Sequence, residues 1–195
     1  MKRFLAAMPA VMDDYERLVL ENEILLVRSK GVGVLTKEQA INSSAAGPML
    51  RASGVPWDIR KADPYCVYDR FNFDIPVGSA GDCWDRFLVR LGEVRQSLRI
   101  LQQAVEQIPH GDIRAKLPFL IRPPVGDAYG RIEGPRGEIG FYVVSDSSTN
   151  PYRVKIRPPS LINLTTLREM VVGSKIADAI VVLGSIDIVL GEVDR

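Results

Sequence analysis

The sequence predicts an α+β domain, mainly helical, with a small antiparallel sheet near residues 128–156. Two observations carry that reading. From Asp82 to Ile108 apolar residues recur every three or four positions, the period of a helix. Between residues 128 and 156 alternating segments are separated by turn-forming stretches, Gly134 to Gly137 and Ser147 to Pro151.

Taken in order, residues 11–26 place Val11, Tyr15, Leu18, Val19, Leu25 and Leu26 on one side of a predicted helix, with Asp13, Asp14, Glu16 and Glu21 outside. Thr36 with Gln39 forms a capping box that opens a second, short helix. The nearby Gly31 and Gly33 do not make a phosphate loop, which needs more glycine, a Lys-Ser/Thr pair and a preceding strand. From Gly47 to Gly81 no period is visible. A connection of that length inside a compact domain is expected to be ordered and functional. Arg51, Arg60, Lys61 and Arg70 alternate there with Asp58, Asp63, Asp69 and Asp74, which suits lacing by ion pairs; a surface loop tied down by Trp57, Tyr65 and Phe73 is the plainer reading.

The long helix follows, N-capped by Asp82 and stopped by Pro109, with Trp84, Phe87, Leu88, Leu91, Val94, Leu98, Leu101, Val105 and Ile108 as its apolar stripe. Arg86, Arg90, Glu93, Arg95 and Arg99 leave that stripe, as a solvated face or as a contact with a neighbouring subunit. In the sheet, Tyr152, Val154 and Ile156 alternate with Arg153, Lys155 and Arg157, so three cations face either solvent or a partner. Pro158 and Pro159 break that strand, Asn163 or Thr165 caps a helix from about Leu167, and the run Ile176 to Leu190 is expected to be buried. That run contains Asp178 and Asp187 and is shorter than the roughly 20 residues of a membrane span.

Composition narrows the function classes. The 195 residues are 46% hydrophobic and 25% charged, enough for one domain with a core. A formal charge of +1 supplies no broad basic field for nucleic acid. Cys66, Cys83 and the single His110 are too few for a Cys/His metal site or a Ser/His/Asp constellation. The start, with Pro9 and then acids, is unlike a signal peptide, so the thiols are expected to be reduced and intracellular.

Composition and spacing name no reaction, but several stretches taken together do. "RSKGVGVL", "GPMLRASGVPWDIRKADPY", "FDIPVGSAGDCWDRFLVRLGE", "IEGPRGEIGFYVVSD", "PYRVKIRPPS" and "ADAIVVLGSIDIVLGEVDR" resemble, in this order, the C-terminal half of the 49 kDa subunit of respiratory complex I, an NADH-quinone oxidoreductase. The resemblance implies a single domain over residues 1–195, folded like the related nickel-iron hydrogenase large subunit. It covers only that half: the histidine and tyrosine held to ligate the quinone head group in the family lie in an N-terminal part without counterpart here.

In the hydrogenases a C-terminal DPCxxCxxH ligates the metal. Laid over "DIVLGEVDR", Asp187 keeps the aspartate, Val189 and Glu192 stand where the cysteines stand, and Arg195 stands at the histidine. Valine offers no ligand to nickel, so no metal and no cofactor is expected on this chain. The resemblance implies that Asp187, Glu192 and Arg195 form a paired proton or charge relay and that Val189 and Gly191 line a quinone cavity. It further implies an iron-sulfur cluster in a neighbouring subunit, an NAD site on another, other peripheral-arm subunits and a membrane-arm subunit as partners, no nucleic acid, and a peripheral place on the cytoplasmic (or organellar matrix) side of a membrane. An inactive, truncated or accessory subunit of the same assembly is the alternative.

Overall fold

The computed structural model describes residues 1–194; Arg195, and with it one of the three relay residues, lies outside the described residues. The architecture is α+β and mainly helical, as the sequence predicts. Helices α1 (Lys2–Leu20) and α2 (Glu23–Ser29) come first, then three short helices, α3 (Lys37–Asn42), α4 (Pro48–Ala52) and α5 (Ile59–Ala62). The long α6 (Cys83–Gln107) leads to a three-stranded sheet of β1 (Gly126–Gly134), β2 (Gly137–Ser145) and β3 (Arg153–Arg157). Four helices close the chain: α7 (Pro159–Leu164), α8 (Leu167–Val171), α9 (Ile176–Ile186) and α10 (Leu190–Val193).

The sheet is antiparallel throughout, in the order β1-β2-β3, with Gly134 paired to Gly137 across the predicted turn. That turn rests on the start of α4. Gly47 has φ +64°, and a Cβ there would lie 2.5 Å from the Arg136 carbonyl oxygen, so glycine is required both by its dihedral and by the close approach. The contact sets the hairpin against the helical body and fixes where Arg136 can reach.

The core is built from Leu35, Ala40, Met49, Leu50, Cys83, Met170, Val182 and Ile186. It therefore draws on α3, α4, α6, α8 and α9 at once. Asp82 caps α6 as predicted, Oδ1 accepting from Asp85 N (2.8 Å), while Oδ2 accepts from Gly31 N (2.8 Å) and ties the Gly31–Gly33 bend to the helix start. Thr36 and Gln39 form the predicted capping box.

Several expectations need correction. The predicted helix over 11–26 is two helices, with Asn22 capping the second through a bond from Leu25 N. On α1 the more buried residues are Leu5, Met8, Met12, Glu16 and Val19, while Val11, Tyr15 and Leu18 are exposed. The aperiodic segment 47–81 is partly helical and its start lies deep, Pro48 to Ala52 being all buried, whereas residues 61–64 are exposed. Arg86, expected on an outer face, is 0% exposed, and the inward line of α6 runs through Cys83, Arg86, Val89 and Ile100. Pro159 starts a helix at its first position instead of only ending a strand. Asn163 caps nothing; its amide joins Ala46 and the Arg136 carbonyl, and α8 begins after Thr166 without a side-chain cap. Within the run 176–190 only Val182 and Ile186 are buried, while Ile176, Ile180 and Leu190 are exposed, since α9 touches the body along one stripe.

Candidate functional site

The end of α9 meets the hairpin turn and the middle of α6, and three charged residues converge there. Asp187, the C-cap of α9, has φ +58°, the left-handed conformation that closes a helix. Arg136 on the turn donates from Nε to the Asp187 carbonyl (2.6 Å) and from Nη2 to its carboxylate (3.1 Å). Arg90 on α6 donates from Nη2 to the Ile186 carbonyl (3.2 Å), and its Nε lies 3.9 Å from Asp187 Oδ2. Two cations thus hold the carbonyl end of one helix, where the helix dipole favours them. Arg90 Nε is buried and has no hydrogen-bond partner among the described residues. Burial, opposed by Asp187, holds the Arg90 pKa below its ordinary value.

Two cavities open on either side of this group. One, of about 380 Å³, is lined by Arg90 and Asp187 together with Arg51, Arg60, Glu93 and Glu133. The other, of about 840 Å³, shares Arg90 and Asp187 but is otherwise more apolar, with Tyr15, Leu25, Trp84, Phe87 and Val181 in its wall. The first wall is charged and the second is greasy.

Behind the smaller cavity lies an ionic cluster. Arg51, 1% exposed, donates from Nε to Glu93 Oε1 (2.6 Å) and from Nη1 to Glu133 Oε1 (2.9 Å) and the Trp57 carbonyl (2.8 Å). Asp58 lies 3.9 Å from Arg51 and accepts two bonds from Arg60 Nε and one from Nη2. Burial works against the Arg51 charge, yet Glu93 and Glu133 hold its pKa above the ordinary value. Burial also pushes both of those glutamates upward, by more than Arg51 pulls them down. Asp58 is the exception: despite its burial, Arg60 and Arg51 hold it below the usual carboxylate range.

The residues singled out from the sequence are partly brought together. Asp187 is paired and stands at both cavities, but its side chain is 44% exposed, so it is not sealed in a buried turn. Glu192 accepts from Ser160 N (3.2 Å), and the Ser160 hydroxyl accepts from Val189 N (3.2 Å), so α10 is stapled to α7. Gly191 and Glu192 line a separate pocket of about 260 Å³ beside the sheet, against Ile139, Phe141 and Ile156. Val189 is partly buried and borders none of these three spaces.

Sequence reasoning anticipated ion pairs within 47–81, and Asp58 does pair with Arg60 and Arg51, but it missed Glu93 and Glu133 as partners of Arg51. The signal was available: Arg86, Arg90 and Glu93 follow one another at four and three residues, a polar stripe with helical period. The residues do not suit a nickel centre. Asp187 is engaged by Arg136, and among the described residues no group of three or more His, Cys, Asp or Glu side chains can hold a metal ion. Among the described residues no helix is long and apolar enough to cross a membrane.

The sequence model of the family described as respiratory-chain NADH dehydrogenase, 49 Kd subunit, matches residues 1–121 and 117–195. The chain belongs to this family. Among similar proteins, the D-type subunit of NADH-quinone oxidoreductase from Dehalococcoides mccartyi (strain ATCC BAA-2266 / KCTC 15142 / 195) is 60% identical over 195 residues, covering 100% of this chain and 53% of that protein. The D-type subunit numbered 1 in Roseiflexus sp. (strain RS-1) is 55% identical, over 100% of this chain and 54% of its own length. Its counterpart in Desulforamulus reducens is also 55% identical, over 99% and 53%. The chain thus spans about half the length of these 49 kDa-family relatives.

Proposed function

We propose that this chain is a peripheral-arm subunit of a quinone-reducing, proton-translocating NADH dehydrogenase, where it helps to form the quinone chamber beside an iron-sulfur cluster held by a neighbouring subunit. The observation that carries the reading is the 60% identity, along the whole chain, to a protein named as a subunit of NADH-quinone oxidoreductase. In this reading residues 1–195 are one domain of a hydrogenase-like fold, docked against the iron-sulfur subunit and the membrane arm on the cytoplasmic side. The NAD site is on another subunit, and this chain holds no cofactor of its own.

The geometry supports a division of labour. The apolar cavity of about 840 Å³ has the size and lining that an isoprenoid quinone needs, apolar walls with few polar anchors. Asp187 and Arg90 are the charged groups at its rim, placed to answer charge that develops on a reduced quinone. Glu192 and Arg195 extend that relay, and Val189 and Gly191 supply apolar lining on the α10 side once neighbouring subunits close the space.

A specific observation favours a second, structural reading of Asp187: it caps α9 and is clamped by Arg136. One experiment separates the two. The tagged chain is purified from its native membranes in mild detergent, co-purifying subunits are identified, and inhibitor-sensitive quinone reduction is assayed. Recovery with an iron-sulfur subunit, and activity lost in Asp187→Ala while assembly persists, supports the chamber role. Loss of assembly in that variant makes Asp187 a structural cap, and recovery without partners or activity makes the chain an accessory piece.

A further inference from the structure

We propose that residues 109–125, the connection from α6 to β1, form a docking arm that lies in a groove of another protein, apolar along its floor and carrying carboxylates at both ends. The inference goes beyond the quinone reading and does not rest on it.

The rest of the chain leaves this segment almost untouched. It holds no helix or strand, and every residue from 106 to 130 is exposed. Among the described residues a single hydrogen bond ties it down, donated by Ser145 Oγ to the Pro123 carbonyl. A polar loop can stand so in water. This one carries Ile113, Leu117, Phe119, Leu120, Ile121 and Val125, all exposed, with Ile113 and Phe119 fully so. Apolar surface gathered in this way marks an interaction site, and a connection of such length without structure of its own is uncommon in a compact domain unless it has a function.

Charge states what the partner must offer. Arg114 and Lys116 precede the apolar run 117–121 and Arg122 follows it, against the one nearby acid, Asp112. Among the described residues none of these three cations has an ion pair or a hydrogen-bond partner. A groove that takes the run therefore meets cations at both of its ends, and carboxylates placed there fix the register of the arm. Phe119, near the middle of the run, is the anchor.

Backbone chemistry selects protein over lipid. Pro109, Pro118, Pro123 and Pro124 interrupt the segment, so it cannot wind into an amphipathic helix that satisfies its own peptide groups at a membrane surface. The N–H groups of residues 109–125 have no partner within the described chain, and in hydrocarbon each would stay unpaired at a high cost. A protein groove supplies carbonyls and carboxylates to them. The prolines also hold the segment extended in advance, which lowers the ordering cost of docking.

The test uses the tagged chain in its native cells, broken gently and treated with a carbodiimide. That reagent joins the Lys116 amine to a carboxylate in contact with it, forming an amide while the carbodiimide takes up the water, and mass spectrometry identifies the joined peptide. Lys116 is expected to be joined to an Asp or Glu of one other polypeptide. Amide hydrogen exchange over residues 109–125 is expected to be slower in the complex with that polypeptide than in the purified chain. Phe119→Ser and the double variant Arg114→Glu, Arg122→Glu should lose both the cross-link and the protection. Their circular dichroism should match wild type, because these side chains touch nothing that folds the body. The proposal is overturned if Lys116 is joined only to carboxylates of this polypeptide or of a second copy, if it is not joined at all, or if residues 109–125 exchange equally fast in the complex and alone. It is also overturned if the purified chain floats with phosphatidylglycerol vesicles and Phe119→Ser abolishes flotation, which assigns the arm to lipid. Quinone reduction is not read, so each outcome stands whether or not the chain shapes a quinone chamber.

Discussion

Arg136 grips Asp187 twice, by its backbone carbonyl and by its carboxylate, and so binds the tip of the β1–β2 hairpin to the last turn of α9. The two residues are 51 positions apart in sequence. Their clamp is the joint at which sheet, helical body and both cavities meet.

Asp187 does two separable things here, capping with a positive φ and pairing with Arg136. Asp187→Gly keeps the backbone conformation and loses the ion pair, whereas Asp187→Val also forces a β-branched residue to φ +58°. Valine is expected to be the less stable by about 1–3 kcal/mol. Urea denaturation of the two variants, compared at one pH, measures the difference, and equal midpoints would show that the left-handed cap carries no strain.

Removing the guanidinium at the centre of the buried cluster is predicted to be severe. Arg51→Ala strands Glu93 and Glu133 and withdraws charge from Asp58, at a cost of about 3–5 kcal/mol. Arg17→Ala breaks only an exposed pair with Asp14 and is expected to change the denaturation midpoint very little.

The cluster also fixes a pH dependence of stability. Glu93 and Glu133 are raised in the folded chain, so the native state holds more protons than the unfolded one between the ordinary glutamate value and their raised values. Their contribution is complete below that window and is lost as pH rises through it. Asp58 is lowered, so its contribution is present above the ordinary aspartate value and lost as pH falls through its folded value. Midpoints measured across pH should fall on both sides, and the double variant Glu93→Gln, Glu133→Gln should flatten only the alkaline side of this window.

Gly47 and Gly31 both have positive φ, but only Gly47 lies under the hairpin. Gly31→Ala meets nothing within 4 Å and should cost about 1 kcal/mol from its dihedral. Gly47→Ala meets the Arg136 carbonyl and should displace the turn as well. Amide hydrogen exchange over β1 and β2 reports this: faster exchange in Gly47→Ala with Gly31→Ala unchanged is the expected pattern.

Asp82 serves two backbone donors, Asp85 N and Gly31 N. Asp82→Ala should destabilise by about 1–2 kcal/mol, and Asp82→Asn by less, because the amide oxygen still caps. Thermal or chemical unfolding monitored by helical circular dichroism orders the three proteins.

The parts of this structure that were legible in sequence are those governed by local rules. The Asp82 cap, the Thr36/Gln39 capping box and the Gly134–Gly137 turn each depend on a few neighbouring residues, and each stands where the sequence puts it. What was hidden depends on residues far apart in the chain. Arg51 and Glu133 are separated by 82 positions, and Arg86 looks like a surface arginine until the carbonyls of Gly33 and Gly81 and the hydroxyl of Ser185 are folded around it. Burial of α9 was overestimated for a related reason: its apolar residues do not declare which stripe meets the body. Val182 and Ile186 do, while Ile176 and Ile180 do not. Among the residues named from the resemblance, Asp187 borders two cavities, while Glu192 bonds to α7 and lines a different pocket.

Arg90 and Asp187 border both the charged and the greasy cavity, and so act as a party wall between them. A guest that draws the Arg90 guanidinium toward the greasy side withdraws it from the charged side, where Glu93 is its neighbour on the same helix. The one guanidinium is therefore held in common by the two chambers.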